Sequence, residues 1–300
     1  MGVITFTVAT PTYNRADVLD RVYRSLQAQT YRNFEWVVVD DGSSDHTSEL
    51  VRRWAEEADF PIRYVYQENR GKHIALNRAA AMAQGELFVI ADSDDSFRSD
   101  SLQILLDSWN DIPPEERDRF RGVSCRCYDP ETGAEIGPPF PGGGCDLLGL
   151  DATYRRRYCF ELWGFNRTVV MREYPFPNIE GLAFYPEIII WDRMGSKYFV
   201  RFINAPLRAY YKDQENAATN KKRRRSKENI HLWAHYLNDI FSYFPYRPKL
   251  FLKAFIGLSM DGFSLGKSVA EILAIPQKRI CKLGVFLCLP LGYGLFRRRT

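Results

Sequence analysis

The chain has 300 residues, 45% hydrophobic and 26% charged, a balance that suits a folded globular protein and excludes a disordered one. With 41 basic and 37 acidic residues its formal charge is +4, too modest to suggest a nucleic-acid partner, though KKRRR (221–225) and RRR (297–299) make the last third basic. Six cysteines without a C-x-x-C pair point to reduced thiols, and the opening MGVITFTVAT lacks a basic region before its apolar run, so a cytoplasmic location is expected.

In chain order, VITFTVA (3–9) predicts a buried strand and ADVLDRVYRSLQAQ (16–29) a helix with Val18, Leu19, Val22 and Leu26 on one face. Asn14 and Asp17, three apart, resemble a capping box that starts this helix. FEWVVVD (34–40) is a second strand, SDHTSELVRRWAEEA (44–58) a second helix, IRYVYQ (62–67) a third strand and KHIALNRAAAMAQ (72–84) an alanine-rich third helix. ELFVIA (86–91) is the fourth strand, with a helix near 100–110. Such alternation implies an α/β fold whose sheet is mainly parallel and covered by helices on both faces.

DIPPEERDRF (111–120) breaks the pattern. Beyond it come a loop rich in glycine and proline, GPPFPGGG (137–144), a helical PEIIIWDRMGSKY (186–198) and a strand-like VRFINAPLRAYY (200–211). From 248 the chain turns to long apolar runs. Three parts are expected: 1–112, 113–215 and a basic, apolar helical region 216–300.

In an open parallel sheet, ligands bind beyond the carboxyl ends of the strands. Each of the first four strands ends in a polar cluster: PTYNR (11–15), DDGSSD (40–45), ENRGKH (68–73) and DSDD (92–95). Asp92, Asp94 and Asp95 crowd three like charges into four positions, and their hard oxygens suit Mg²⁺ or Mn²⁺ if a diphosphate completes the shell. Asp95 has a second reading, as the cap of the turn after the strand, and Asn77 a second reading as helix surface. Lys72, opening a helix, can reach the same phosphates with the helix dipole behind it. Tyr13 offers a flat face to a base; Asp41 can accept from a base N–H, and Asp40 can serve a ribose hydroxyl or orient its loop. No G-x-G-x-x-G follows the first strand, and GFSLGKS (262–268) is one residue short of a P-loop and follows an apolar helical run.

Together, PTYNR, DDGSSD, Asn69-Arg70-Gly71, Ala75-Leu76-Asn77 and DSDD resemble family 2 glycosyltransferases of the GT-A fold, strongly over 3–110 and more loosely to about 211. The resemblance implies an α/β GT-A fold with a mixed, mainly parallel central sheet, a nucleotide-diphosphate sugar donor (UDP foremost), a divalent metal (Mn²⁺ or Mg²⁺) and inversion at the anomeric carbon. It implies a donor nucleotide site at Pro11, Tyr13, Asn14, Arg15, Asp40, Asp41, Asn69, Lys72, Asn77, Asp92 and Ser93, with Asp94 and Asp95, and Asp92 as a further candidate, at the metal. Family members carry a Glu-Asp pair shortly before a tryptophan, its Asp the general base. Here Glu187 stands four residues before Trp191 and is the expected base, with Glu180 as runner-up; the departure is that Pro186 replaces the acidic neighbour and Glu replaces Asp. No histidine ligand is expected, and Tyr210–Thr219 is expected to close over the donor.

LGVFLCLPLGYGLF (283–296) would extend about 21 Å as a helix, short of the roughly 30 Å hydrocarbon core. Pro290 would kink it, and basic residues flank it on both sides. It reads as an interfacial element on an anionic cytoplasmic membrane surface or as part of a packed helical subdomain. The former suits a saccharide or lipid-linked saccharide acceptor, as in bacterial surface-polysaccharide assembly, and a peripheral place on the inner face of the plasma membrane. Two rivals stand beside the transferase: a non-catalytic nucleotide-sugar-binding scaffold subunit, and a sugar nucleotidyltransferase, whose Gly-rich basic loop PTYNR does not match.

Overall fold

The computed structural model describes residues 4–182, 184–211 and 226–298. The chain divides into two compact units: Met1–Gly149 with Cys159–Ile179 and Ile190–Gln214, and Leu150–Tyr158 with Glu180–Ile189 and Glu215–Thr300.

The first unit begins with β1 (Phe6–Thr12), α1 (Asp20–Gln27), β2 (Phe34–Asp40), α2 (Thr47–Glu57), β3 (Ile62–Tyr66), α3 (Lys72–Met82) and β4 (Leu87–Ile90). It continues through β5 (Ser96–Phe97), α4 (Ser101–Asn110), β6 (Phe120–Tyr128), β7 (Gly144–Leu148), β8 (Leu162–Arg167) and α5 (Thr168–Glu173). Helix α6 (Glu187–Gly195) starts in the second unit and ends in the first, followed by β9 (Phe199–Ala209).

Among the described residues the strands form one nine-stranded sheet in the order β3-β2-β1-β4-β8-β6-β9-β5, with β7 also on β9. β3, β2, β1 and β4 run parallel, whereas β8 enters antiparallel to both β4 and β6. The parallel character expected from the β–α alternation holds for the first four strands and returns where β6 pairs with β9, and the sheet as a whole is mixed. β1 and β2 are buried at all seven positions, as a strand covered on both faces must be. Their register aligns Thr12 with Asp40 and Asp40 with Tyr66, so the carboxyl ends finish level and the loops beyond them share one edge. Behind this edge the core is aromatic. Tyr23 stacks on Trp54 with ring centroids 4.4 Å apart, and buried Trp36 donates its indole N–H to Thr10 Oγ1 at 2.9 Å.

The first helix departs from expectation. It begins at Asp20, preceded by turns over 16–19, and Leu19 at its N-cap makes no side-chain capping bond. The capping box of Asn14 and Asp17 does not form. Asn14 instead adopts a left-handed φ of 51° and turns its amide oxygen across to the β2–α2 loop, accepting from the Ser44 N–H at 2.8 Å. A partner thirty residues away displaces the local cap because it braces two loops at once.

The second unit is helical: α7 (Ser226–Asn238), α8 (Pro248–Ser264), α9 (Val269–Ala274) and α10 (Arg279–Arg297). Tyr154, Trp233, Phe251, Leu258, Ile272, Cys281 and Val285 form its core. Buried Asp261 accepts from Trp233 Nε1 at 2.8 Å and Ser226 Oγ at 2.7 Å, so its carboxylate is satisfied within the bundle. The near-P-loop resolves into helix punctuation. Gly266 takes φ +72° after α8, and Ser268 caps α9 in a capping box with Glu271. α10 runs as one helix from Arg279 to Arg297 with Pro290, the residue expected to kink it, inside; the proline leaves the Phe286 carbonyl without its helical donor. The run KKRRR (221–225) and most of the expected closing segment, 212–219, lie outside the described residues.

Candidate active site

The loops after β1, β2 and β3 are tied into one scaffold by side chains from their own ends. Asp40 is buried; its Oδ1 accepts from the Ser43 N–H at 2.8 Å and its Oδ2 from the Tyr64 hydroxyl at 2.6 Å. Burial, together with this carboxylate, pushes the Tyr64 phenol well up. Asp41 turns to the next loop. Its Oδ1 accepts from Gln67 Nε2 at 2.7 Å and the Arg70 N–H at 2.9 Å, and its Oδ2 from the Gly71 N–H at 2.8 Å. Gly42, at φ +90°, lets the two loops close up: a Cβ there would lie 2.9 Å from the Asn69 nitrogen. Pro11 sits opposite Val39 inside the sheet, and Tyr13 just beyond is half exposed.

Beyond β4 each of the three crowded aspartates meets a cation from a different element. Lys72 Nζ, on the first residue of α3, lies 2.8 Å from Asp92 Oδ1. Arg15, from the loop after β1, lies 3.9 Å from Asp94, and Arg208, on β9, lies 3.4 Å from Asp95. Ser93 between them is buried. Burial opposes the charge on Asp92, yet Lys72, with Arg208 and Arg15 behind it, holds its carboxyl below the ordinary range. Burial pushes Asp95 up to about 7 despite Arg208, with repulsion from Asp92 and Asp94 adding to the rise. Asp95 also accepts from the Asp92 N–H at 3.0 Å, so it does cap the turn after the strand.

Asn77 is engaged at both ends of its amide. It donates to the Phe176 carbonyl and accepts from the Phe176 N–H, each at 2.8 Å, and so clamps α3 to the segment before α6. An open cavity of about 570 Å³ beside it is lined by Gln67, Glu68, Arg70, Ile74, Asn77 and Arg78. Glu187 occupies the first turn of α6, half-buried, in the second unit, whereas the aspartates belong to the first. Glu180 is exposed. Trp191, one turn after Glu187, meets the Phe176 ring edge-on at 6.0 Å, with the Arg121 guanidinium 6.0 Å from its centroid.

Two features escaped the sequence. Arg208 pairs with Glu161 at 2.8 Å as well as with Asp95, and β9 carries Arg201 and Asn204 too, so no local signal set Arg208 apart. Gln67 holds Asp41 from a position that reads as the last residue of β3.

The fit to a divalent ion follows from the donors. Among the described residues no three His, Cys, Asp or Glu side chains converge as a ready cage. The side chains of Asp92 and Asp94 retain 36% and 27% exposure, against 8% for Asp95. These are hard oxygen ligands, and a diphosphate would have to complete the shell, so the residues present suit Mg²⁺ or Mn²⁺ held jointly with a ligand.

The sequence pattern described as Glycosyl transferase family 2 matches residues 7–115. The chain is 34% identical over 100 residues to the glycosyltransferase GlyG of Streptococcus pneumoniae, a match covering 33% of each chain. It is 30% identical over 146 residues to the poly-β-1,6-N-acetyl-D-glucosamine synthase of Staphylococcus aureus, covering 49% of this chain and 31% of the synthase. A longer match, 24% identical over 260 residues, joins 77% of the chain to 67% of the glycosyltransferase YibD of Escherichia coli. These matches thus span about a third of GlyG and of the synthase and two thirds of YibD. In structure the chain resembles S. aureus TarS, solved with UDP-GlcNAc, at TM-score 0.70 and 15% identity over 99% of this chain and 92% of that one. It also resembles the mannosyltransferase PcManGT of Pyrobaculum calidifontis, solved with GDP-Man and Mn²⁺, at TM-score 0.50 and 22% identity over 97% and 86%. The mixed sheet flanked by helices is the GT-A fold of these neighbours.

Proposed function

We propose, from the match of residues 7–115 to glycosyl transferase family 2, that the chain is a glycosyltransferase that moves a sugar, with inversion, from a nucleotide-diphosphate donor to a saccharide or lipid-linked saccharide hydroxyl. The observation that carries the reading is the meeting of Asp92 with Lys72 and of Asp94 with Arg15, with Asp95 held by Arg208, at the carboxyl edge of four parallel strands whose first ends next to half-exposed Tyr13.

Residues 1–112 act as the donor half and 113–215 as the acceptor half, with 216–300 as the appendage. Tyr13 stacks on the base and Asp41, through the 67–71 loop that it holds, shapes the base site; UDP is the foremost donor nucleotide. Pro11, Asn14, Asp40, Asn69 and Asn77 fix the loops around it, and Ser93 sets the turn between the aspartates. Lys72 and Arg15, now facing carboxylates, turn to the donor diphosphate. Asp94 and Asp95, with Asp92, would hold Mn²⁺ or Mg²⁺, which when bound neutralises charge on the leaving diphosphate. Glu187 takes the proton of the acceptor hydroxyl as its oxygen bonds to the anomeric carbon and the bond from that carbon to the diphosphate oxygen breaks. A lipid-linked acceptor would place the enzyme at the inner face of the plasma membrane.

The test is thermal stabilisation by UDP, GDP, CDP and dTDP, each with and without Mn²⁺, on wild type and Asp94→Ala. A nucleotide-selective shift that needs both the metal and Asp94 supports the donor site, and no shift with any nucleotide sinks it. Pro186, in place of an acidic neighbour to Glu187, keeps a second reading in view, a non-catalytic nucleotide-sugar-binding subunit. A Glu187→Ala variant that binds donor but does not turn it over, beside an active wild type, decides for the enzyme.

A further inference from the structure

α10 is packed on one side and apolar on the other. Its inner face, Cys281, Val285, Leu289 and Gly292, is buried in the helical unit. Two glycines bring it close to α8: a Cβ on Gly284 would lie 2.7 Å from the Phe255 ring, and one on Gly292 would lie 2.4 Å from Ser259 Cβ. The outer face carries Ile280, Leu283, Phe286, Leu287, Leu291 and Tyr293, each 48% to 68% exposed. Between Lys282 and Arg297 no charged residue interrupts it, and the chain has no carboxylate side chain after Glu271. Lys278, Arg279 and Lys282 stand exposed at one end, Arg297 and Arg298 at the other.

We propose that this outer face is a membrane-docking surface, on which α10 lies in the plane of an anionic bilayer with its leucines and Phe286 among the acyl chains and its basic ends on lipid phosphates. Six large apolar side chains exposed along one helix face need cover, and such a face marks an interaction site. A second copy is a poor cover, because packing α10 on α10 in either direction sets basic ends against basic ends. By length and composition the 19 residues Arg279–Arg297 could cross a membrane, but the uncharged stretch 283–296 covers only about 21 Å of the roughly 30 Å core, and the inner face would have to leave the bundle. An in-plane helix with an apolar face and cationic flanks meets every constraint. This inference does not rest on the transferase reading.

The experiment is flotation of the full chain with phosphatidylcholine vesicles, plain or containing about a third phosphatidylglycerol, compared with the variant Leu283→Glu/Leu287→Glu. Both replaced residues are exposed, so the variant keeps the fold, checked by its circular dichroism and melting temperature. The proposal expects binding to the anionic vesicles that is at least about tenfold weaker for the variant and largely reversed by high salt. Failure of the wild type to float overturns it, as does binding that the variant retains. Salt-resistant binding with segments of α10 protected from protease on both sides of the bilayer would show a spanning helix instead. Wild-type self-association that the variant abolishes, without flotation, would give the face to a second copy. Nucleotide-dependent thermal shifts are unaffected in every case, so this test and that of the donor site fail separately.

Discussion

Arg208 lies 3.4 Å from Asp95 across 113 residues of sequence, and both side chains are less than a tenth exposed. The pair joins the last strand of the sheet to the turn after the fourth. A second nitrogen of the same guanidinium reaches Glu161 at 2.8 Å. Asp95 also receives the Asp92 N–H, so the arginine holds the shape of the whole acidic turn from behind, while Asp92 and Asp94 stay in reach of solvent.

Removing that arginine takes away the positive charge that lowers the Asp95 pKa, so a carboxyl already pushed up to about 7 rises further and takes a proton. We expect Arg208→Ala to cost about 1–3 kcal/mol, the range for polar groups left without their partner, read as a lower denaturant midpoint with unchanged slope. Adding Asp95→Asn should recover part of the loss, because the unpaired carboxyl goes with it. Equal stability of the single and double variants would mean that the pair is not what stabilises the turn.

Asp41 makes a different kind of brace. Its two oxygens take three N–H groups, two of them from the backbone of Arg70 and Gly71 just before α3. Asp41→Asn turns one acceptor into a donor facing another donor, a loss of about 1–3 kcal/mol confined to the loop. Amide exchange at Arg70 and Gly71 should rise far more than exchange in β2. Uniform acceleration across the sheet would show that Asp41 supports the fold globally, not the loop.

The parallel strands, their order of appearance and the four polar loops were legible because each is written locally, as an apolar run followed by turn residues. The shared edge follows from parallelism alone. What sequence could not give is the pairing across it. Lys72, Arg15 and Arg208 come from three elements to three neighbouring aspartates, and nothing in the local pattern of β9 marks Arg208 as a partner of residue 95. The misreading of Asn14 has the same cause: its spacing to Asp17 suits a cap, but Ser44 thirty positions on is the better donor. In the tail the sequence showed an apolar run with basic flanks, and only packing separated its buried side from its exposed one.

His73 gives a pH dependence with a definite sign. It sits on the buried face of α3, only 2% exposed, and burial holds its imidazole below the ordinary value, against the opposing pull of Asp41. The unfolded chain therefore binds this proton first, at about 6.5, and the folded protein only at lower pH. Between the two values the unfolded state carries more protons, so stability is full above 6.5 and falls as pH drops below it, by up to about 1.4 kcal/mol per pH unit. His73→Gln should flatten that part of the curve. Parallel curves for wild type and variant between pH 7 and 5 would remove His73 from the effect.

Lys72 separates the two tasks given to the acidic turn. Without ligand its ammonium lies 2.8 Å from Asp92 and competes with any cation for that carboxylate. In the proposed donor complex the same ammonium attracts the diphosphate. Lys72→Ala should therefore act with opposite signs on two measurements. Mn²⁺ alone should bind more tightly, because Asp92 loses its internal counter-ion. A nucleoside diphosphate in the presence of Mn²⁺ should bind more weakly, by about tenfold for the loss of one charge-assisted contact worth 1.5–3 kcal/mol, offset in part by the firmer metal. Calorimetric titration reads both affinities on the same preparation. If both fall, Lys72 serves only to position Asp92. If metal affinity rises and nucleotide affinity is untouched, the diphosphate does not lie over α3 and the donor must be moved along the edge toward Arg15.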